Sequence, residues 1–472
     1  MTRTSDDQFG KPKLGGGKIK VGKPQNEREQ RLDSISVKHT IGRFLKDFNA
    51  LEFAFPLAIG ALETSFDAAA KGFAQALAAA ADPSEFEKFK RGLNAMIEST
   101  NDNSALVAGA QANRKKKKAH EASVNIQINA YSEQLQRSID SLSSVTSARD
   151  LISRSFVVTL VSQFDAYLSN LVRALYKVRP DILGLHSKTV SYSEIVELGD
   201  SASIEERLVE NEIESLLRSS HSDQFKWLEG KFDVPLRVSD ERWAAFVELT
   251  ERRNLFVHAN ARISSQYLRV CKNNKVPLPS GCKTGQKLEA TEDYFRSAYS
   301  ILVEIGVKLG IVLWRKVSPK DQDEADSFLI ITSYDLIKKE KYEVARSILE
   351  TFLFSVPTKG RSESYHRKMI INLAQCHKWL GNSKECETLL NKFDWSATSL
   401  VYNLAVATLR GDFTLSNNLA RTAVLAGEMS RNDLEDWPLF REFRDAPQYY
   451  ELKIELDQVT GNGDLASRSR HT

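Results

Sequence analysis

Only four cysteines, Cys271, Cys282, Cys376 and Cys386, occur in 472 residues. No two form a C-x-x-C pair, and no histidine joins them at zinc-finger spacing. That pattern predicts reduced thiols in a cytoplasmic protein and no metal or other cofactor. Charge of one sign is also scarce: 65 Lys and Arg face 62 Asp and Glu, a net charge of +3. The chain is therefore no polycation, and any nucleic-acid contact must come from local basic patches. The N-terminus is polar, without the apolar core of a secretory signal. "GGGKIK" near the start lacks the spacing of a phosphate-binding P-loop. Neither apolar-looking stretch reads as a membrane span. Leu51–Ala81 carries Glu63, Asp67, Lys71 and Gln75 at steps of four, and Ile301–Trp314 carries Glu304 and Lys308 four apart. Each has the polar stripe of a packed amphipathic helix. Sustained period-two alternation is missing too, which predicts a nearly all-α protein.

Helical signals fill most of what is there. Residues 1–36 are rich in Gly, Lys and polar side chains without a period and are expected to be a disordered basic tail. Residues 37–122 form an N-terminal helical region and charged linker. Asp82-Pro83-Ser84 breaks it, with Ser84 and Glu87 in capping-box spacing. The linker holds Arg114, Lys115, Lys116, Lys117 and Lys118, five consecutive positive charges. Such a run is either a solvated helix face or a hand on RNA phosphates. It can equally belong to one long charged helix that continues into "VNIQINAYSEQLQRSIDSL". The next helix has an apolar stripe at Ile152, Phe156, Leu160, Phe164, Leu168 (or Tyr167), Leu171 and Leu175, and stops at Arg179-Pro180. "SIEERLVENEIESLLRSS" and "SDERWAAFVELTERRN" follow as helices, the second with Ser239 as N-cap and a stripe of Trp243, Phe246, Val247, Thr250, Asn254 and Val257. The Pro, Gly and Asn of Cys271–Gly285 mark a loop. "ATEDYFRSAYSILVEIGVKLGIVLWRK" is another long helix.

Past Pro319 the pattern changes. Three segments share one layout of apolar helix, short turn and second helix. Their turns are "KKEKY", "WLGNS" and "LRGDF". The spacing lies loosely around the tetratricopeptide period of about 34 residues. Residues 319–460 are expected to be degenerate helical repeats, and 461–472 a disordered tail.

One short motif carries chemistry. "ERRNLFVHANARISSQYL" sets Arg253, Asn254 and His258 in the order R-N-x-x-x-H. A loose R-x(4–6)-H pattern means little, since about 1.6 matches arise by chance in a chain of this composition. Arg114…His120, Arg179…His186 and Arg361…His366 also fit it. Requiring Asn after the Arg lowers the chance expectation to roughly 0.02 and leaves one match. The bland alternative is a helix C-terminus where Arg253 caps carbonyls and His258 meets the negative dipole end. The chemical alternative is phosphodiester cleavage. His258 titrates near neutrality and can move protons. Arg253 presents a fixed planar cation to a phosphorane. Asn254 can orient the histidine or a phosphate oxygen. On a straight helix, residues five apart point about 140° away from each other. Arg253 and His258 therefore need either a helix that ends between them or a site shared across a two-fold axis. Asp165 on the long helix is a candidate for orienting Arg253, with an ordinary surface carboxylate as the alternative.

"WAAFVELTERRNLFVHANARISSQYL", with "SQFDAYLSNLVRALY" upstream, resembles the HEPN superfamily, especially its single-chain bacterial ribonuclease-like branch. The resemblance covers about residues 123–318. Where related chains often read H-N-x-G after the motif, this one reads H-A-N-A. The resemblance implies a HEPN-type helical bundle and a metal-independent endonuclease that leaves 2′,3′-cyclic phosphate and 5′-OH ends. It also implies a composite site in a homodimer, tRNA or other RNA as substrate, and a toxin or antiviral-defence role. Arg252 and Arg262 are further candidates for RNA contact. The repeats would offer a concave surface to a protein trigger or inhibitor. A non-catalytic scaffold, a helical bundle whose repeats bind a protein partner, is the competing reading. An antitoxin-like HEPN partner of a nucleotidyltransferase ranks low, because those chains are usually short.

Overall fold

The computed structural model describes the backbone of residues 36–80, 110–237, 240–279, 281–356 and 361–468, and most of their side chains. The described residues are all-α, with one isolated β-bridge between Arg262 and Lys287. Ser84, Glu87 and Ser239, where helix caps are expected, lie outside them. So does most of the expected N-terminal tail.

Helix α1 (Val37–Ala80) and helix α2 (Ala110–Val178) lie antiparallel. The register is fixed by Phe44 stacked on Tyr167 at 4.3 Å, Phe55 edge-on to Phe156 at 5.2 Å, and Arg149 bonded to Glu63 at 3.3 Å. The N-terminal region expected as a separate segment is thus part of the bundle, because Phe44, Phe48 and Phe55 of α1 are core residues. The charged linker and the apolar helix after it are one continuous helix of 69 residues. That helix stops at Val178, where Pro180 lacks the N–H needed to continue it. Every expected stripe residue from Leu160 to Leu175 is buried.

Three shorter helices follow: α3 (Tyr192–Leu198), α4 (Ser201–Leu217) and α5 (His221–Phe232), capped by Ser191, Asp200 and Ser220. Helix α6 (Asp240–His258) carries the motif, and α7 (Ser265–Asn273) comes next. Helix α7 corrects the expected loop, which begins after Asn273 and not at Cys271. Ser264 caps α7 by accepting from the Tyr267 N–H at 3.1 Å, and Tyr267 and Cys271 are buried beneath it. The expected stripe on α6 also ends early. Val257 is 50 % exposed, because Leu255 instead packs with Ile263, Tyr267 and Cys271 in a small second core.

Helix α8 (Glu292–Val317) runs through the centre. By length and composition it could cross a membrane, but 72 % of its apolar window is buried inside the molecule. Gly306 and Gly310 let α1 and α2 approach it closely. A Cβ on Gly306 would sit 2.6 Å from the Phe44 ring, and one on Gly310 would meet Ile41 at 2.7 Å and the Tyr167 hydroxyl. Tyr167 donates to the Gly306 carbonyl at 2.8 Å across this contact.

After α8 come three helix hairpins: α9 (Gln322–Lys338) with α10 (Tyr342–Glu350), α11 (Glu363–Trp379) with α12 (Ser383–Leu390), and α13 (Leu400–Arg410) with α14 (Phe413–Leu425). All three turns fall where the sequence puts them. Each contains one left-handed residue, Glu340, Gly381 or Gly411. The buried triad Arg315–Asp326–Arg361 joins α8 to the first hairpin. Short helices α15 (Arg431–Asp436) and α16 (Arg441–Arg444) lead to α17 (Pro447–Arg468). Helix α17 extends eight residues past Thr460, into the stretch expected as a tail.

Candidate active site

Helix α6 stays helical from Arg253 through His258, so it does not end between them. The two side chains diverge accordingly. Arg253 turns inward onto α2, where its Nη2 donates to Asp165 Oδ2 at 2.7 Å and its side chain is 21 % exposed. Its Nε is buried without a partner. His258 closes the helix with its ring exposed, beside exposed Val257. Asn254 is half-buried, on the turn between them.

Asp165 binds a second group that sequence reasoning missed. His221 Nε2 lies 2.7 Å from Asp165 Oδ1. The imidazole comes from the first residue of α5, and its side chain is 12 % exposed. It stands edge-on to Phe246 at 5.6 Å. Glu251 lies on the same side. Burial pushes its carboxyl up, against the opposing pull of His221 and Arg253. Asp165, His221, Glu251 and Arg253 thus form one cluster from three helices.

The turn after the motif is tightly held. Asn260 and Ala261 both have positive φ, 46° and 65°, and the Ala261 N–H reaches back to the Leu255 carbonyl at 3.0 Å. Ala261 occupies the place of the glycine in the H-N-x-G pattern. A left-handed alanine costs about 1 kcal/mol relative to glycine. Arg154 on α2 clamps the turn, donating through Nη1 to Asn260 Oδ1 at 2.9 Å and pairing with Asp150 at 2.9 Å. The Leu288 N–H donates to the Ala261 carbonyl at 2.9 Å.

The remaining candidates fall in different places. Arg252 points into the fold: its Nε donates to Glu248 Oε1 at 2.6 Å, its Nη1 to the Glu289 carbonyl at 3.2 Å, and its plane lies 3.9 Å over the Tyr294 ring. That guanidinium is occupied with packing the end of α6. Arg262 is exposed, with Nη1 on the Gly285 carbonyl at 3.0 Å. Arg114 and Lys115 to Lys118 lie on the first turns of α2, and their side chains are outside the described residues. The structure brings Arg253 and Asp165 together, with Asn254 and His258 on the same helix end. It does not bring Arg252 to that face. Among the described residues, no cluster of three or more His, Cys, Asp or Glu is arranged to hold a metal ion. No family model, curated protein or solved structure matches the chain.

Proposed function

We propose that the chain is a metal-independent RNA endonuclease of HEPN type, working as a homodimer. The observation that carries this reading is the unbroken end of α6. One side of it turns Arg253 onto Asp165, and the other offers His258 to solvent. One chain cannot direct both groups at one phosphate, whereas a two-fold axis beside α6 sets Arg253 of one protomer against His258 of its partner. In such a site His258 takes the proton of the ribose 2′-hydroxyl. The 2′-oxygen forms its bond to phosphorus as the bond to the 5′-oxygen breaks; that oxygen leaves with a proton from water, and His258 returns to water the proton it took. Arg253 neutralises the charge building on the phosphorane. The products are a 2′,3′-cyclic phosphate and a 5′-OH. Asn254 orients His258 or a phosphate oxygen, and Arg262 supplies an exposed cation nearby. RNA, tRNA included, is the substrate class, and the biological role is that of a toxin or antiviral-defence effector.

Total RNA and tRNA incubated in EDTA with wild type, Arg253→Ala and His258→Ala test the reading. Cleavage by wild type alone, leaving cyclic-phosphate ends, is expected. Mixing the two inactive variants tests the shared site. A heterodimer keeps one intact Arg253–His258 pair, so about a quarter of wild-type activity returns on subunit exchange. Equal cleavage by all three proteins sinks the assignment.

A second reading is favoured by the three helix hairpins with their matching left-handed turns. On it, the hairpins are a tetratricopeptide-like array that binds a protein trigger, an inhibitor or, in a non-catalytic scaffold, another partner. A scaffold keeps its function when His258 is replaced. A nuclease toxin loses its toxicity on expression.

A further inference from the structure

Asp165 is anchored at both oxygens, and the second anchor comes from a part of the chain with no share in the motif. Arg253 Nη2 holds Oδ2, and His221 Nε2 holds Oδ1, each at 2.7 Å. An ionised carboxylate only accepts, so His221 presents an N–H at Nε2 whichever charge the ring carries. The His221 backbone is fixed by the Ser220 cap, whose Oγ accepts from the Asp223 N–H at 3.2 Å. Its ring is wedged against Phe246 and lies 6.5 Å from Phe164. A carboxylate with one partner can rotate about its terminal torsion, which is broad and soft. With two partners on opposite oxygens it cannot rotate without breaking a bond. Arg253 depends on that carboxylate: Asp165 is the one hydrogen-bond partner of its guanidinium among the described residues, and its Nε is buried and unpartnered.

We propose that His221 is a positioning residue of the Arg253 site, locking the Asp165 carboxylate so that Arg253 is held with its remaining Nη N–H groups free for a phosphate. This rests on the reading of Arg253 as the phosphate-binding cation. The groups facing the imidazole are Asp165 from α2 and Glu251 and Arg253 from α6. His221 fixes geometry and transfers no proton.

Two substitutions separate positioning from folding. His221→Phe keeps the aromatic packing against Phe246 and Phe164 and removes the donor. His221→Gln restores an N–H donor at similar reach. RNA cleavage in EDTA by purified full-length protein should fall roughly 10-fold or more in kcat for His221→Phe and recover largely in His221→Gln, since small misplacements of a catalytic group have effects of that size. Unchanged kcat in His221→Phe, or an equal loss in the Gln variant, overturns the proposal; the latter would make the imidazole itself the working group. The guanidinium ¹⁵N–¹H signals of Arg253, identified by their loss in Arg253→Ala, give a readout that needs no cleavage. They should be sharp and distinct in wild type, averaged in His221→Phe and restored in His221→Gln. If wild type cuts no RNA while these signals behave as stated, the nuclease reading fails and the positioning of Arg253 stands. If the signals ignore His221, the positioning fails whatever the RNA assay gives.

Discussion

Replacing Glu248 with Ala should loosen the end of the motif helix without touching the motif. Glu248 is 8 % exposed and accepts three hydrogen bonds: from the Tyr267 hydroxyl at 2.7 Å, the Tyr294 hydroxyl at 2.9 Å and Arg252 Nε at 2.6 Å. Bonds to a charged group contribute about 1.5–3 kcal/mol each, but three on one carboxylate do not add independently. Removing one partner of a buried ion pair costs about 3–5 kcal/mol. Arg252 keeps the Glu289 carbonyl and the Tyr294 face, so the middle of that range, about 4 kcal/mol, is the expected loss. The loss should concentrate in the small core of Leu255, Ile263, Tyr267 and Cys271. Cys271 reports on it directly. Burial, with the nearby Glu248 charge, pushes its thiol up to about 11, so it is inert at neutral pH. Maleimide labelling of Cys271, followed by peptide mass, should accelerate by about several hundred-fold in Glu248→Ala if labelling goes through local opening. An unfolding midpoint and a Cys271 labelling rate both within about 0.5 kcal/mol of wild type would refute the reasoning.

Gly310→Ala should destabilise by about 1–3 kcal/mol, because its methyl meets Ile41 and Tyr167 where α1 and α2 cross α8; an unchanged thermal midpoint would show that the crossing can open at no cost. Acidification should weaken the hairpin helix α11. Burial lowers the pKa of His366 and of His377, in the first with help from Arg361. The unfolded chain then binds protons that the folded chain refuses, so stability falls as pH drops below about 6.5 and levels off only below the lowered folded values. Urea midpoints at about pH 7.5 and about pH 5.5 measure this. A midpoint that rises on acidification contradicts it, and His377→Gln should remove part of the slope.

The legible parts of this molecule are those whose cause is local. The stripe from Leu160 to Leu175, the stop at Pro180 and the three hairpin turns depend on spacing within one segment, and each stands where the sequence puts it. R-N-x-x-x-H was legible for the same reason, and so was the divergence of Arg253 and His258, a consequence of helical pitch. Asp165 could be named as a partner for Arg253 but not told from an ordinary surface carboxylate, since only the packing of α6 on α2 brings together two residues 88 apart. His221 left no signal at all. A histidine after a Ser cap looks like any other helix start, and only the packing of α5 against α2 and α6 gives it a role. Arg252 misled in the opposite direction: beside Arg253 it reads as part of one basic patch, but the 100° step between neighbours turns it toward Glu248. Helix α7 was hidden by the Pro and Gly that follow it, which mark the loop correctly and its start wrongly.

The 69-residue length of α2 makes the protein a ruler. Asp165 stands near one end of that rod and the Arg114–Lys118 run near the other. At 1.5 Å per residue they are roughly 70 Å apart along one axis. On the proposed nuclease reading, an RNA touching both would be tens of ångströms long, and a short oligonucleotide would reach one end only. Shortening the substrate would then separate grip from cleavage with no change to the protein.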